Sequence, residues 1–406
     1  MSLLMPADTL STISAGALLA TPRAGTRDTR PGLAGIDPDA LAAWMLERGE
    51  AAYRARQVAD FLWGRGAVSF EEMRTLPAAL RDGLGAAFRA DTLVETTVLP
   101  ADAGLTEKAL HRLDDGRLVE SVLMRYPARD GLRARNTVCI SSQAGCAVGC
   151  PFCATGELGF LRDLETAEIV DQLRFWRRRL APLGHRITNV VFMGMGEPLL
   201  NIERVLAAVA ALSDPRRFGL GARHIALSTS GVVPGIERLT ALRPQYTLAV
   251  SLHAARPALR DVLVPLNRRY PVAEVVRVAT AYADATGRRI SYEVVLIDGI
   301  NDTPRDAAEM ARLLRGHLAH VNLIPMNPVA HTPWRPSPPD RLAAFAEVLR
   351  AAGLATTIRR NRGLEIGAAC GQLAAEQAAA PTPAAVGRRR ERLERESAAA
   401  LAGSGA

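Results

Sequence analysis

Three cysteines fall within eight residues in QAGCAVGCPFCATG, at Cys146, Cys150 and Cys153. Thiolates are soft ligands suited to zinc or to iron–sulfur clusters. The Cys-x3-Cys-x2-Cys spacing suits three irons of a cubane [4Fe–4S] cluster and leaves the fourth iron open. An open iron can chelate the amino and carboxylate groups of S-adenosylmethionine, and one electron then breaks the sulfonium bond. That chemistry belongs to cofactors rather than side chains. The competing reading is structural zinc, with Cys139, Cys370 or a histidine as fourth ligand. It explains the thiols, but not Phe152 beside the last one or the Gly-rich acidic turn GMGEP (Gly194 to Pro198) that follows.

Elements that could position such a loop are legible from Thr137 onward. Short β-rich runs (TVCISS, ITNVVFMG, HIALSTS, YTLAVSLH, ISYEVVLID, HVNLIPMN, ATTIRR) alternate with amphipathic helical runs. In the first of these, Ile169, Leu173, Trp176 and Leu180 recur at helical spacing. Repeated strand–helix units imply a parallel sheet with right-handed crossovers, as a full or partial β/α barrel or a doubly wound sheet. In such barrels the working residues sit at the C-terminal strand ends. The three-cysteine loop, GMGEP, Ser228, Ser230, Ser251, His253 and Asn327 all fall there. Bland readings stay open at several of them: Cys139 as strand core, His253 as a satisfied rim residue, Glu197 as a helix cap, and Met193 and Met195 as packing.

The flanks read differently. Residues 38–99 are expected to be a helical accessory domain, in which Arg54, Arg56, Arg65 and Arg74 interleave with Tyr53, Phe61, Trp63 and Phe70, a texture suited equally to RNA binding and to an ordinary helical bundle with a solvated face. Residues 100–136 read as a β-hairpin linker turning at Asp114-Asp115-Gly116. The barrel is assigned to 137–373. Residues 1–37 and 374–406 read as a disordered extension and a low-complexity basic tail carrying Arg388, Arg389, Arg390, Arg392 and Arg395.

The chain has 406 residues, 48% of them hydrophobic, and a formal net charge of +8, with a pI near 9.7. This balance favours an anionic partner. Lys108 is the only lysine beside 49 arginines, a skew read as codon bias, and it is a candidate phosphate contact or a surface residue. No apolar run reaches the ~20 residues that span a bilayer, so no membrane anchor is expected. Five unevenly spaced cysteines do not resemble a secreted disulfide framework, and a reducing cytoplasmic location is expected.

The segments CISSQAGCAVGCPFCATGELGF, FMGMGEPLLN, LSTSGVVP, SLHA, NLIPMNP and RRNRGLEIGAACGQLA together resemble the RlmN-type dual-specificity rRNA/tRNA adenine-C2 methyltransferases, a radical S-adenosylmethionine family. The resemblance runs from Tyr53 to Leu373. It implies a partial (β/α)6 radical barrel, an α/β fold, with a helical N-terminal domain. It also implies that Cys146, Cys150 and Cys153 hold the cluster, and that Gly196, Glu197, Ser228, Ser251, Leu252, His253 and Asn327 hold S-adenosylmethionine, two molecules being used per turnover. Cys370 matches the cysteine that becomes S-methylated and Cys139 the second thiol, the two ending as a transient disulfide. Glu120 matches a proposed proton acceptor, although the segment SVLMRYPARDGLRARNTV that follows it is longer than many relatives have.

The implied activity is methylation of carbon 2 of an adenosine in 23S rRNA and in tRNA by a cytoplasmic monomer. A one-electron donor such as flavodoxin or ferredoxin would serve it, and arginines including those of RRNR (359–362) would contact RNA. Alternatives are a Cfr-type carbon-8 methyltransferase and, from another class, a zinc-stabilised RNA-binding protein without catalysis.

Overall fold

The computed structural model describes residues 27–129, 131–359, 361–373 and 383–402. The helical unit comprises α1 (Pro38–Leu46), α2 (Tyr53–Ala59) and α3 (Ala78–Ala87). Asp37 caps α1 by accepting from the Asp39 amide, with Pro38 in the first turn, where its missing N–H costs nothing. A π-helical turn, Asp60–Arg65, extends α2 and ends at Gly66 in the left-handed region.

Three antiparallel strands follow: β1 (Leu93–Ala101), β2 (Thr106–Leu113) and β3 (Leu118–Tyr126). Residues 93–99, expected in the helical unit, instead form most of β1, where Val94, Thr96, Thr97 and Val98 supply the β-branched side chains that suit a strand. The hairpin between β2 and β3 turns at Gly116 (φ 80°), as its Asp-Asp-Gly predicts.

The remaining strands are β4 (Arg135–Cys139), the short pair β5 (Gln143–Gly145) and β6 (Phe160–Asp163), then β7 (Asn189–Phe192), β8 (Ile225–Thr229), β9 (Thr247–Ser251), β10 (Ile290–Leu296), β11 (Ala319–Pro325) and β12 (Ala355–Ile358). Helices α4 (Ala154–Leu158), α5 (Thr166–Leu180), α6 (Ile202–Ser213), α7 (Val233–Leu242), α8 (Pro257–Leu263), α9 (Val272–Thr286), α10 (Pro304–Leu314) and α11 (Pro339–Ala351) connect them. All seven strand runs read from sequence are present, and all are parallel: β4 beside β7, then β8 to β12 in order. The antiparallel β1–β3 joins the β4 edge, giving a ten-stranded sheet with β1 and β12 as its two edges. The barrel is therefore partial and open. Ile169, Leu173, Trp176 and Leu180 of α5 are fully buried, as their spacing predicts.

Two flanking segments pack more than their composition suggests. Leu33 and Ala34 are buried and contact α5, so part of the span read as an extension belongs to the core; residues 1–26 lie outside the described residues. The final helix, α12 (Pro383–Ala402), lies against α8 and buries Leu393, Ser397 and Ala400, while Arg388, Arg392 and Arg395 stay exposed. Its Arg389 pairs with Glu157 of α4. Among the described residues no helix is long and apolar enough to cross a membrane.

Candidate active site

Strand register decides which side chains share the barrel's inner wall, because cross-strand partners point to one face and the period is two. Cys139 stands opposite Val122 on β3 and Val191 on β7. Glu120 is two residues from Val122 and so shares that face. On the far strands Ser228 pairs with Ala249, Ser251 with Glu293, and Glu293 with Asn322. Glu120, Cys139, Ser228 and Ser251, separate in sequence, thus occupy one concave surface.

Gly145 has φ 74°, and a Cβ there would lie 1.8 Å from the Gly159 carbonyl. Only glycine lets the chain pass so close before entering the cysteine loop. The Cys146 amide donates to the Gly159 carbonyl (2.8 Å) and the Cys153 amide to the Cys150 carbonyl (3.1 Å). GMGEP is stitched to this loop. The Gly194 amide donates to the Ile140 carbonyl (3.0 Å) and the Glu197 amide to Gln143 Oε1 (2.8 Å). Glu197 does cap the following turn, accepting from the Leu199 amide (3.0 Å). Its other oxygen accepts from the Ser230 amide and hydroxyl (both 2.7 Å). Burial raises the Glu197 carboxyl, and the Ser230 hydrogen bonds oppose that.

His253 is buried in the left-handed region (φ 60°) and accepts from the Val295 amide through Nδ1 (3.1 Å). Its ring meets Phe152 edge-on, with centroids 4.7 Å apart. Burial drives its basicity down to about 3, so it is neutral. The carbonyls of Ser230, Ser251 and Leu252 all accept from Arg260, a fully buried guanidinium on α8. Sequence reading missed this residue; its one signal is an arginine between Leu259 and Leu263 on the apolar stripe of α8.

The C-terminal segment closes the arrangement. The Ala154 amide donates to the Gly371 carbonyl (2.7 Å), and Thr155 Oγ1 to the Leu373 carbonyl (2.5 Å). Asn327 Nδ2 donates to the Cys370 carbonyl (2.8 Å). Cys370 is thereby tied to the cysteine loop on one side and to the end of β11 on the other. Cys139 and Cys370 line one cleft with Tyr126, Met193 and Arg359. Tyr126 lies between Arg135 and Arg362, whose guanidinium carbons sit 4.4 and 4.3 Å from its ring centre. All five cysteines are free, so the expected Cys139–Cys370 disulfide is absent from this state, the two thiols instead facing a shared cleft. Burial, reinforced by Cys370, pushes the Cys139 thiol up to about 12.

The donor set fits an iron–sulfur cubane. Three soft thiolates on one loop can each bind a separate iron of a cubane and leave the fourth iron open. Burial raises all three loop thiols, Cys146 to about 12; metal ligation would provide the charge needed to deprotonate them. Asn327 Oδ1, buried close by, has no hydrogen-bond partner among the described residues, as a group awaiting a polar ligand would.

The helical unit corrects one expectation. Phe61, Trp63 and Phe70 are buried core, and of the interleaved aromatics only Tyr53 is exposed, with Arg54 over its ring. Of RRNR, Arg359 points into the cleft, Arg362 stacks on Tyr126, and Arg360 lies outside the described residues.

Comparison with known proteins agrees with this geometry. Residues 32–89 match the family described as "Ribosomal RNA large subunit methyltransferase N-terminal domain", and 140–314 match the radical SAM superfamily. Two relatives bear the name "Probable dual-specificity RNA methyltransferase RlmN". The one from Thermobifida fusca is 50% identical, covering 85% of this chain and 95% of its own. The one from Gemmatimonas aurantiaca is 47% identical, covering 87% and 96%. A crystal structure of a radical SAM methyltransferase from Sphaerobacter thermophilus superposes with a TM-score of 0.81 at 44% identity, covering 85% of this chain and all of that one. With both family segments present and the full barrel shared, this chain belongs to the RlmN family of radical S-adenosylmethionine methyltransferases.

Proposed function

We propose that this protein methylates carbon 2 of an adenosine in 23S rRNA and in tRNA, with Cys370 as the methyl carrier. The observation that carries this reading is the placement of Cys370: hydrogen bonds to its segment from Ala154, Thr155 and Asn327 hold it beside the cysteine loop, in one cleft with a second thiol.

Carbon 2 of adenine lies between two ring nitrogens and is too electron-poor to attack a sulfonium methyl. Cys146, Cys150 and Cys153 would hold a cubane and Gly196, Glu197, Ser228, Ser251, Leu252, His253 and Asn327 would hold S-adenosylmethionine, which together would supply the one-electron chemistry that activates a methyl group. Cys370 takes a methyl as a thiolate. The radical source would remove one hydrogen atom from that methyl, its carbon then bonds carbon 2 and links protein and RNA, and the cluster would take up the one electron left when the carbon-2 proton leaves. Two adenosylmethionines are consumed, one as methyl donor and one as radical source. Glu120 accepts the carbon-2 proton. Cys139, with its thiol pushed up to about 12 by burial, is suited to remain protonated until resolution. Its sulfur then bonds the Cys370 sulfur as the sulfur–methylene bond breaks, and the proton Cys139 gives up goes to the methylene carbon, which frees the methylated base and leaves a Cys139–Cys370 disulfide. An outside electron donor reduces this disulfide.

Recognition of RNA draws on the exposed arginines of the helical unit and on the Arg135–Tyr126–Arg362 stack at the cleft mouth, where a base turned out of its helix could rest. Nucleoside mass spectrometry of rRNA and tRNA with and without the protein tests the proposal. Loss of 2-methyladenosine on deletion is expected; loss of 8-methyladenosine instead would assign the carbon-8 reaction. Anaerobic reconstitution should give brown protein with roughly four irons per chain. Colourless protein with stoichiometric zinc would favour the non-catalytic binder.

A further inference from the structure

Among 50 basic residues, 49 are arginine, and the single lysine is not on the surface. Lys108 has a side chain only 12% exposed, and its Nζ lies 3.2 Å from Glu120 Oε1, on a carboxylate side chain 3% exposed. Register places both on the barrel's inner face. Lys108 pairs with Val122, which pairs with Cys139, and Glu120 sits one inward position further along β3.

The other side of Lys108 is the segment that carries Cys370. A Cβ on Gly367 would come within 3.7 Å of Lys108 Nζ, and one on Gly363 within 3.0 Å of Thr106 Cγ2. Asp102 fixes the same contact, accepting from the Gly363 amide (3.0 Å) and from Thr106 Oγ1 (2.6 Å). The carrier segment therefore runs along β2, and the ammonium stands between it and Glu120. An ammonium is a compact charge with three donors, and Gly367, lacking a side chain, leaves room for its tip.

We propose that Lys108 is a positioning residue for the resolution of the protein–RNA conjugate, its ammonium holding the Glu120 carboxylate as an oriented anion beside the carrier segment. The proposal rests on the reading of Glu120 as proton acceptor. In the step it serves, the carbon-2 C–H bond breaks, its electron pair stays with the base, and the proton passes to a Glu120 oxygen; Lys108 keeps its own protons.

The test separates the two halves of the reaction in reconstituted full-length enzyme, using a 23S rRNA fragment as substrate. Methylation of Cys370 is followed by peptide mass, and conjugate formation and release by gel shift in a single turnover. Lys108→Met keeps the bulk of the side chain and removes the charge, whereas Lys108→Arg keeps the charge. In Lys108→Met, Cys370 should be methylated within about twofold of wild type, while conjugate release slows by about 100-fold and a nuclease-sensitive conjugate accumulates. Lys108→Arg should recover release to within about tenfold of wild type.

Three results would overturn the proposal: wild-type release in Lys108→Met, equal loss in the Met and Arg variants, or loss of Cys370 methylation along with release, which marks a purely structural role. Glu120→Gln distinguishes this failure from failure of the underlying reading. If Glu120→Gln stalls as a conjugate but Lys108→Met does not, only the lysine's role is wrong. If Glu120→Gln releases product normally, the proton acceptor is misassigned and the lysine's role goes with it.

Discussion

Arg260 offers the sharpest test of how the cofactor rim is held. The residue is fully buried. Its Nε donates to the Leu252 carbonyl (2.9 Å), Nη1 to Asn267 Oδ1 (2.9 Å), and Nη2 to the carbonyls of Ser230 (2.7 Å) and Ser251 (3.3 Å). Burial lowers its basicity to about 10, so it stays charged at neutral pH. Three of its four acceptors are backbone carbonyls at the ends of β8 and β9, and no side-chain substitution can remove them.

Arg260→Met fills much of the volume but takes the charged donor from the Ser230, Ser251 and Leu252 carbonyls, of which Leu252 still accepts from the Ala254 amide. Each bond from a charged donor is worth about 1.5–3 kcal/mol, and relief of the buried guanidinium's desolvation offsets part of the sum. A net loss of about 3–5 kcal/mol is expected, since each buried acceptor left unsatisfied costs about 1–3 kcal/mol. Urea unfolding of the anaerobic protein should show this as a lower midpoint at an unchanged slope. Slackened strand ends should also weaken S-adenosylmethionine binding by at least about tenfold, or about 1.4 kcal/mol. Arg260→Lys should recover only part of either quantity, since one ammonium cannot span four acceptors. A Met variant within about 0.5 kcal/mol of wild type, with unchanged affinity, would refute the reasoning.

Other expectations follow from single sites. His111 is fully buried between Thr96 Oγ1 (2.8 Å) and Ser121 Oγ (2.7 Å), and burial drives it, like His253, down to about 3. Unfolding returns both to 6.5, so the unfolded chain binds more protons between those values. The stability they confer is full above pH 6.5 and is lost as pH falls toward 3, with a slope of up to about 2.7 kcal/mol per pH unit. His111→Gln should roughly halve that slope in unfolding curves, and an unchanged slope would contradict the assignment. Gly196 has φ 98°, and a Cβ there would lie 2.5 Å from Gln143 Cβ. Gly196→Ala should cost about 2–3 kcal/mol and displace the Gln143–Glu197 bond, seen as weakened cosubstrate binding. Cys139, buried and pushed up to about 12, should resist iodoacetamide at pH 8 in the folded protein and react fully in urea; prompt labelling of the folded form would contradict its burial.

Much of the barrel was readable before any coordinates. Alternation of β-branched runs with 3.6-period helices located all seven parallel strands, because each buries a face whose period is set by local backbone geometry. Motifs confined to one loop, such as the three cysteines or GMGEP, were equally visible, since their function is local. The boundary at β1 was less so. Residues 93–99 followed a helical run closely, and only pairing with β2 distinguishes them from a helical continuation. The packing of α12 was hidden for a similar reason: among its described residues Leu393, Ser397 and Ala400 are buried where it lies against α8, too few to stand out in a low-complexity sequence.

The sequence by itself determined which groups are available: three thiols spaced for a cluster, two further thiols, an acid, and one lysine among arginines. Tertiary structure decided which of them meet. Cys139 and Cys370 are 231 positions apart, and no pattern states that they share a cleft. Sheet register and the bonds from Ala154, Thr155 and Asn327 place them there. The same holds for Lys108, which read as a surface cation until the β2–β3 register set it against Glu120. Periodicity reports how each residue faces its own element; contacts across elements depend on how those elements pack, which is a property of the whole chain.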